Sequence, residues 1–228
     1  MPIQTISNAS QRLYQHAADQ VMDLIRRGEY PPGAKLPAER DLAKQLGVSR
    51  PTVREALIAL EIAGLVEVRV GSGAYVRMRE AARPQNDAGP GAFELIAARK
   101  LIEPQVAALA ATSATEADLA GLGGTLELIE TKTRDHWEKL EVDRLFHMRV
   151  AEATHNAVLI DIVGGLWKEM FGPIFALLSE RTQLTHRQSM TLADHRAIYG
   201  CLQRHDAAAA HAAMLSHLVN VELTLLQE

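Results

Sequence analysis

Three stretches near the start of the chain carry apolar residues at helical spacing. In the first, the positions that follow the three- and four-residue steps of one helical face are Leu13, Ala17, Val21, Leu24 and Ile25. The second stretch covers residues 38–46 and the third covers residues 49 to about 63. Gly47 stands where a left-handed C-cap belongs, and Ser49 has the side chain of an N-cap. The pattern therefore predicts three helices, with a tight turn between the second and the third.

An alternating pattern follows the third helix. Val66, Val68 and Val70 alternate with polar residues, residues 71–73 read Gly-Ser-Gly, and residues 74–77 can return alongside. This arrangement predicts a two-stranded hairpin. Three helices followed by a hairpin predict a winged helix-turn-helix, whose third helix enters the major groove of DNA with its first turn toward the bases.

The apolar period is lost between residues 77 and 92, where Pro84, Gly89, Pro90 and Gly91 fall. This composition is typical of a linker. We expect a DNA-binding domain at residues 8–77, a linker at 78–92 and a second domain at 93–228. The second domain shows no strand pattern, and its helices are predicted near residues 93–112, 115–134, 137–155, 157–180, 190–204 and 206–227. The predicted fold class is mainly α: the winged helix-turn-helix plus an all-α helical bundle.

The composition, with 47 % apolar and 23 % charged residues among 228, is that of an ordinary globular protein. No apolar run reaches the roughly 18 residues of a membrane span, and the polar first ten residues lack a signal-peptide core. The one cysteine, Cys201, excludes an internal disulfide and suits a reducing compartment. We therefore expect a cytoplasmic protein that does not contact the membrane.

Charge is divided unevenly along the chain. The net charge is −4, but residues 1–80 hold 11 Lys/Arg and 9 Asp/Glu, whereas residues 81–228 hold 13 and 19. The first domain, at +2, is the better partner for a polyanion, although so small a charge does not decide the question alone.

Several residues of the predicted recognition region have side chains suited to DNA. Arg50 and Arg54 are four apart and share one helical face, and an arginine can bind guanine or clamp a phosphate. Ser49 and Thr52 suit phosphate or base contacts, and Arg40 can reach the backbone or a base edge. Gly71, at the wing tip, permits close approach to the minor groove. The alternative is that these arginines only form a solvated helix face.

Residues 36–76 closely resemble the DNA-binding domain of GntR-family bacterial regulators. The matching segment reads LPAERDLAKQLGVSRPTVREALIALEIAGLVEVRVGSGAYV. The resemblance implies a double-stranded, palindromic DNA operator as partner. It also implies DNA contacts at Arg40, Arg50, Arg54 and Gly71, with Ser49 and Thr52 in support.

The second domain contains a candidate metal-binding set. Asp143 and His147 are four apart and project from one helical face, His195 opens a later helix, and His217 lies in the last one. One carboxylate and three imidazoles suit a divalent ion, with Zn, Ni, Mn and Fe all admissible. The sequence alone leaves open whether the three helices converge, and scattered histidines are often surface or hydrogen-bonded core residues.

Residues 93–224 resemble the all-helical FCD-type effector domain of the FadR branch of this family. The resemblance is carried by His217 and by the segments FELIAARKLIEPQVAALAA, DRLFHMRVAEATHN and DHRAIYGCLQRHDAAAAHAAM. It implies a divalent metal, zinc first, bound by Asp143, His147, His195 and His217. The ligand positions of the family are not matched by His16, His136, His155, His186, His205 or His211.

The resemblance also implies a small organic or sugar acid as effector. Arg99 matches a cavity-facing arginine of the family and could bind a carboxylate. The alternative for Arg99 is an intrahelical pair with Glu103, and Asn156 is expected to cap the helix that follows it. Members that regulate hexuronate and related sugar-acid catabolism are the most similar, while lactate, glycolate, gluconate and pyruvate remain alternatives.

These features together predict a homodimeric transcriptional regulator, a repressor released from its operator by the acid. A metalloenzyme using the Asp/His set is the alternative, but no glutamate stands in an HExxH or comparable arrangement and the first domain would be unexplained. A plain DNA-architectural protein would leave the large second domain unexplained.

Overall fold

The computed structural model describes residues 12–77, 89–131, 135–182, 184 and 188–227. The chain forms two compact units, Met1–Gly91 and Ala92–Glu228. Most of the predicted linker, and the predicted start of the first domain at residue 8, lie outside the described residues. The domain limits given above therefore stay a prediction.

The first unit has the three helices and the hairpin that the sequence predicts. Its elements are α1 (Leu13–Arg26), α2 (Glu39–Leu46), α3 (Arg50–Ile62), β1 (Val66–Arg69) and β2 (Gly73–Val76). The two strands are antiparallel, with Val66 opposite Val76 and Arg69 opposite Gly73. Their wing follows α3 directly, so the third helix and the wing tip belong to one continuous stretch of chain.

Local signals define the turn between α2 and α3. Gly47 adopts a left-handed conformation (φ 69°) at the C-cap of α2, which glycine accepts without the steric cost that a Cβ brings. Ser49 caps α3, because its Oγ accepts a hydrogen bond from the Thr52 amide at 3.3 Å. The predicted caps are thus confirmed, and they fix where the first turn of α3 begins.

The helices pack around one apolar cluster that contains Val21, Leu42, Val53 and Leu60. Leu13, which we expected to face this core, is instead 66 % exposed, and Tyr14 is buried in its place. The Tyr14 hydroxyl donates a hydrogen bond to the Gly89 carbonyl at 2.7 Å. The inward face of α1 is therefore rotated toward Tyr14, Ala18 and Met22, while Ala17 and Val21 are buried as predicted.

The second unit is all-helical in its described part. Its helices are α4 (Ala92–Ser113), α5 (Glu116–Thr131), α6 (His136–Glu152), α7 (Ala157–Glu169), α8 (Pro173–Arg181), α9 (Gln188–Gln203) and α10 (Ala207–Leu225). Helix α4 packs against α6, α7, α9 and α10 and so lies at the centre of the unit.

One helix prediction was wrong. Residues 157–180 form two helices, because α7 ends at Glu169 and α8 begins at Pro173 after Gly172 as N-cap. Proline has no amide hydrogen to donate within a helix, and it disfavours the helical conformation of the residue before it. The break brings Met170 and Trp167 to the end of α7, where both side chains are buried.

No described helix is long and apolar enough to cross a membrane.

Candidate DNA-binding surface and metal centre

The recognition region presents Arg50 and Ser49 to solvent. Arg50 is the first residue of α3 and is exposed, as is Ser49 just before it. Thr52 is nearly buried, and its Oγ1 lies 2.7 Å from Ser49 Oγ. Ser49 and Thr52 therefore act first as the cap of α3, and their contact with DNA stays a prediction.

Arg54 is tied to the preceding helix. Its Nε and Nη2 donate to the Glu39 carboxylate at 3.0 and 2.9 Å. The pair is partly buried, with side-chain exposures of 12 % and 25 %. A bidentate arginine-carboxylate pair of this kind has a defined orientation, so Glu39 links α2 to the face of α3 on which Arg54 lies.

The two remaining predicted DNA contacts lie at exposed positions. Arg40 is in the first turn of α2, with its Nε 3.5 Å from Asp41 and 72 % of its side chain exposed. Gly71 forms the wing tip with φ 70°, and the space where a Cβ would lie is open. Beside the tip, Arg69 stacks over the Tyr75 ring at 4.5 Å.

Four residues of the second unit converge on one point. Asp143 and His147 come from α6, His195 from α9 and His217 from α10, and one ligand atom of each lies within 4.8 Å of the others. All three histidines are buried, and His195 stacks on Phe146 with ring centroids 4.0 Å apart. The sequence left this convergence open, and the structure brings the four candidates together in a group that could hold a metal ion.

Two of these histidines have a carboxylate beside Nδ1. His147 Nδ1 lies 2.5 Å from Glu103 Oε2, and His217 Nδ1 lies 3.4 Å from Asp194 Oδ2. Neutral imidazole carries one N–H, and donating it from Nδ1 leaves the Nε2 lone pair free. Both rings can therefore offer Nε2 as a ligand atom, and Arg99 Nη2 also lies 3.4 Å from His147 Nε2.

The inner atoms of the group lack well-aligned hydrogen-bond partners. Within the described part of the chain, the buried atoms without a well-aligned partner include Asp143 Oδ1, both ring nitrogens of His195 and His217 Nε2. Of these, Asp143 Oδ1 and His195 Nε2 lie 3.2 Å apart. A buried polar atom left unpaired costs roughly 1–3 kcal/mol. One oxygen and three nitrogens form a donor set that suits a divalent cation, so the residues fit a metal ion.

The protonation states agree with this fit. Burial lowers the pKa values of His147, His195 and His217, which favours the neutral imidazoles that bind metals. Burial alone would raise the pKa of Asp143, but the adjacent His195, His147 and His217 hold it below its ordinary value. The group therefore offers one carboxylate and three neutral rings.

Arg99 is buried next to the candidate metal site. Its Nε and Nη2 donate to Glu103 at 2.6 and 3.2 Å, and its guanidinium lies 4.2 Å from the centroid of the Trp167 ring. Burial raises the pKa of Glu103, but the Arg99 charge and His147 outweigh it and lower that pKa to about 2. The intrahelical pair is present, and an effector contact of Arg99 stays a prediction.

Sequence reasoning missed three residues of this region. It treated Glu103 only as a possible partner of Arg99, and it did not single out Asp194 or Asn220, whose Nδ2 donates to Asp194 at 3.1 Å. The available signal was weak: Asp194 directly precedes His195, and Asn220 lies three residues after His217 on the same helix.

The other predicted non-ligand residues have local roles where they are described. Asn156 caps α7, its Oδ1 accepting hydrogen bonds from two amides, which confirms the expected cap. His155 and His205 adopt left-handed conformations just after α6 and α9 (φ 53° and 54°). The side chains of His136 and His186 lie outside the described part of the chain.

A winged helix-turn-helix followed by an all-helical domain defines a class of DNA-binding transcriptional regulator. The protein belongs to the gntR family of bacterial regulatory proteins, whose family model matches residues 13–76, and the FCD domain model matches residues 94–220. The predicted resemblance to FCD-type GntR regulators is thereby confirmed. Family and relatives are regulators rather than enzymes, which decides against the metalloenzyme alternative.

Similar proteins support this assignment along nearly the whole chain. The Uxu operon transcriptional regulator of Escherichia coli K12 is 38 % identical, over 97 % of this chain and 90 % of its own length. The Exu regulon transcriptional regulator of the same strain is 40 % identical, over 95 % and 86 %. The solved structure of E. coli McbR/YncC covers 94 % of this chain and 97 % of its own at TM-score 0.50, and with 24 % identity it shows the fold alone.

Proposed function

We propose that the protein is a repressor whose operator affinity is controlled by a small sugar acid bound at a metal centre in the second unit. The observation that carries this proposal is the convergence of Asp143, His147, His195 and His217 with their buried, unpaired donor atoms. The same chain carries a winged helix-turn-helix, so a binding event in one unit can be read out as a change in DNA binding.

The four residues would hold a divalent ion, and zinc fits their nitrogen-rich set best, while Ni, Mn and Fe are also admissible. Bound there, the ion would supply positive charge and an open position for a carboxylate or hydroxyl oxygen of the acid. The protein's part is to fix the ligand atoms and to exclude water, since the three histidines and Arg99 are at most 1 % exposed.

The charge of the surrounding groups should make binding of the acid depend on the metal ion. Around the site stand one guanidinium, that of Arg99, and the carboxylates of Glu103, Asp143 and Asp194. With neutral imidazoles, these groups have a net charge of −2, which repels an anion. A divalent ion brings the sum to zero and gives the acid a cationic contact.

The acid that we propose first is a hexuronate or a related sugar acid. This choice rests on the resemblance to regulators of sugar-acid catabolism and on the similarity to relatives named for the Uxu operon and the Exu regulon. A lactate-type acid is the alternative, since a relative named putative L-lactate dehydrogenase operon regulatory protein is 32 % identical.

Release from the operator requires the acid to bind two states of the protein with different affinity. A ~100-fold drop in operator affinity needs about 2.7 kcal/mol of coupling. Because operator DNA lies in the bacterial cytoplasm, we place the protein there.

A thermal-shift panel tests the metal-dependent acid site. With D-glucuronate, D-galacturonate, D-gluconate and L-lactate as probes, one acid at ~100 times its Kd should stabilise the metal-loaded protein by about 2.7 kcal/mol. For a unit of this size, that corresponds to a rise in melting temperature of about 5–10 °C. After chelation the same acid should give no shift, because the metal-free site has a net negative charge that repels an anion.

The controls are the neutral sugars D-glucose and D-galactose, which should give no shift with either form. The acid that stabilises the protein should also lower its affinity for DNA upstream of its own coding region in a mobility-shift assay. A full acid-induced shift in metal-free protein would contradict the proposed centre.

We also propose that the protein acts as a homodimer on a palindromic operator, through α4 and α10. Of the nine large apolar side chains exposed in the described part of the second unit, four lie on these two helices, which pack together, and a fifth is the C-cap residue of α10. They are Leu101, Leu109, Val219, Leu223 and Leu226. A stable dimer buries about 800 Å² on each partner, and exposed apolar side chains on two helices that pack together would supply part of such a surface.

A charge placed on this face is expected to weaken the dimer. Leu101 is 77 % exposed, so Leu101→Glu should leave the monomer folded, while burial of its carboxylate should weaken association by about 10-fold or more. Sedimentation velocity distinguishes the 25.0 kDa chain from its dimer. Val158→Glu on α7, at a site 65 % exposed, is the matched control, and dissociation by the control alone would place the interface on α7.

A further inference from the structure

We infer that Glu103 and Asp194 are positioning residues, which fix the His147 and His217 rings so that Nε2 of each points at the metal ion. This inference rests on the proposed metal centre and goes beyond its four ligands. Neither carboxylate is among the converging donor atoms, yet each faces the Nδ1 atom of one histidine, at 2.5 Å for Glu103 and 3.4 Å for Asp194.

The chemistry of imidazole gives these contacts their role. A carboxylate beside Nδ1 accepts the ring proton, which fixes the tautomer with its lone pair on Nε2. The same hydrogen bond sets the plane of the ring and raises the basicity of the ligand nitrogen. His217 shows the result directly: Nδ1 faces Asp194, whereas Nε2 is buried without a hydrogen-bond partner in the described structure.

Glu103 is itself held rigidly. Arg99 Nε and Nη2 donate hydrogen bonds to its carboxylate at 2.6 and 3.2 Å, and Arg99 Nη1 lies 3.0 Å from Met170 Sδ. Arg99 and Glu103 are 1 % and 2 % exposed, so water does not compete for either group. Arg99 thus supports the centre through Glu103 and through its Nη2, which lies 3.4 Å from both ring nitrogens of His147, a role distinct from the predicted contact with the acid.

Asp194 is held more loosely. Asn220, on the same helix as His217, donates to Asp194 Oδ2 at 3.1 Å, and 26 % of the Asp194 side chain is exposed. The longer distance to His217 and the access of water both weaken this contact relative to that of Glu103. Glu103 should therefore have the larger effect on metal affinity.

His195 differs from the other two ligands. Its Nε2 lies 3.2 Å from Asp143 Oδ1, within the ligand set itself, and its ring stacks on Phe146 at an interplanar angle of 16°. His147 and His217 are therefore oriented by carboxylates outside the ligand set, and His195 by the ligand carboxylate of Asp143 and an aromatic face. Only His147 and His217 should respond to loss of Glu103 or Asp194.

The test is the zinc affinity of full-length Glu103→Gln and Asp194→Asn, measured by competition with a chelating dye. An amide can donate to Nδ1 and favour the wrong tautomer, so each variant should bind zinc about 10- to 100-fold more weakly, Glu103→Gln the more so. Glu222→Gln is the matched control: Glu222 joins α10 to α4 through Lys100 at 2.6 Å but faces no ligand, and its affinity should equal that of the wild type.

A second measurement separates positioning from general stability. The imidazole ¹⁵N NMR spectrum of zinc-loaded wild type should show His147 and His217 protonated at Nδ1 and bound through Nε2. In Asp194→Asn, whose substituted side chain is partly exposed and tolerates an amide, the His217 signals should change while those of His147 stay in place.

Different results would contradict the metal centre and the positioning role of Glu103 and Asp194. Wild-type protein that binds no zinc would overturn the metal centre itself. Wild-type protein that binds zinc, with both variants within about twofold of it, would leave the centre standing and overturn the inference about Glu103 and Asp194.

Discussion

Replacing His147 with alanine is expected to lower zinc affinity by about 100- to 1,000-fold. Structural zinc sites bind with about 10–16 kcal/mol, so each of four ligands accounts for roughly 2.5–4 kcal/mol, and 1.4 kcal/mol is a factor of ten. His147 is completely enclosed, its ring lying 5.4 and 5.2 Å from those of His195 and His217.

The His147→Ala change also leaves a cavity and removes a partner of Glu103, so a second variant is needed. Asp143→Asn keeps the size of the side chain and removes the one anionic ligand, and it should lose a comparable part of the affinity. Metal content after gel filtration and a chelator competition titration measure both effects. The acid-induced thermal shift should disappear with the metal.

His211→Ala is the matched control for this prediction. His211 lies on α10, as His217 does, but its ring contacts Gln105 at 3.0 Å rather than the site, so its variant should keep full metal content. If His147→Ala and Asp143→Asn also kept wild-type content and affinity, the four residues would not be the metal ligands.

Local signals explain how far the fold could be predicted. Gly47 and Ser49 end one helix and begin the next through contacts within a few residues, and the alternation at Val66 and Val68 specifies the wing in the same way. The orientation of α1 could not be predicted from local spacing, because Tyr14 is hydrogen-bonded to Gly89, which lies 75 residues later in the chain. The break before Pro173 was a local signal that the long apolar run around it obscured.

In the candidate site, too, contacts within one helix could be predicted and contacts between helices could not. Asp143 and His147 share a helical face, and Arg99 and Glu103 form the i,i+4 pair that the sequence offered as an alternative. The contact of Glu103 with His147 joins residues 44 apart, and that of Asp194 with His217 joins α9 to α10. Such contacts depend on how the helices pack, which the spacing of residues along one helix does not determine.

Replacing Arg50 with alanine is expected to lower operator affinity by about 5- to 150-fold, since a bidentate contact between arginine and guanine contributes about 1–3 kcal/mol of discrimination. Arg50 is exposed at the first turn of α3, where a recognition helix of this kind meets the bases. Operator DNA selected from a random pool with the wild-type protein, and fluorescence anisotropy at fixed salt, provide the measurement. Binding to unrelated DNA should change much less than binding to the operator.

Arg54 and Arg26 make this prediction specific. Arg54 is bound to Glu39 on α2, so Arg54→Ala should reduce operator binding and also lower the melting temperature. Arg26→Ala on α1 removes the same charge from a partly exposed pair with Asp23 and should leave operator affinity within about twofold, because the general electrostatic contribution of one distant charge is small.

If Arg50→Ala weakened binding to operator and unrelated DNA equally and reduced the salt dependence by about one ion, Arg50 would contact a phosphate instead of a base. If operator affinity did not change, the placement of α3 in the major groove would be wrong.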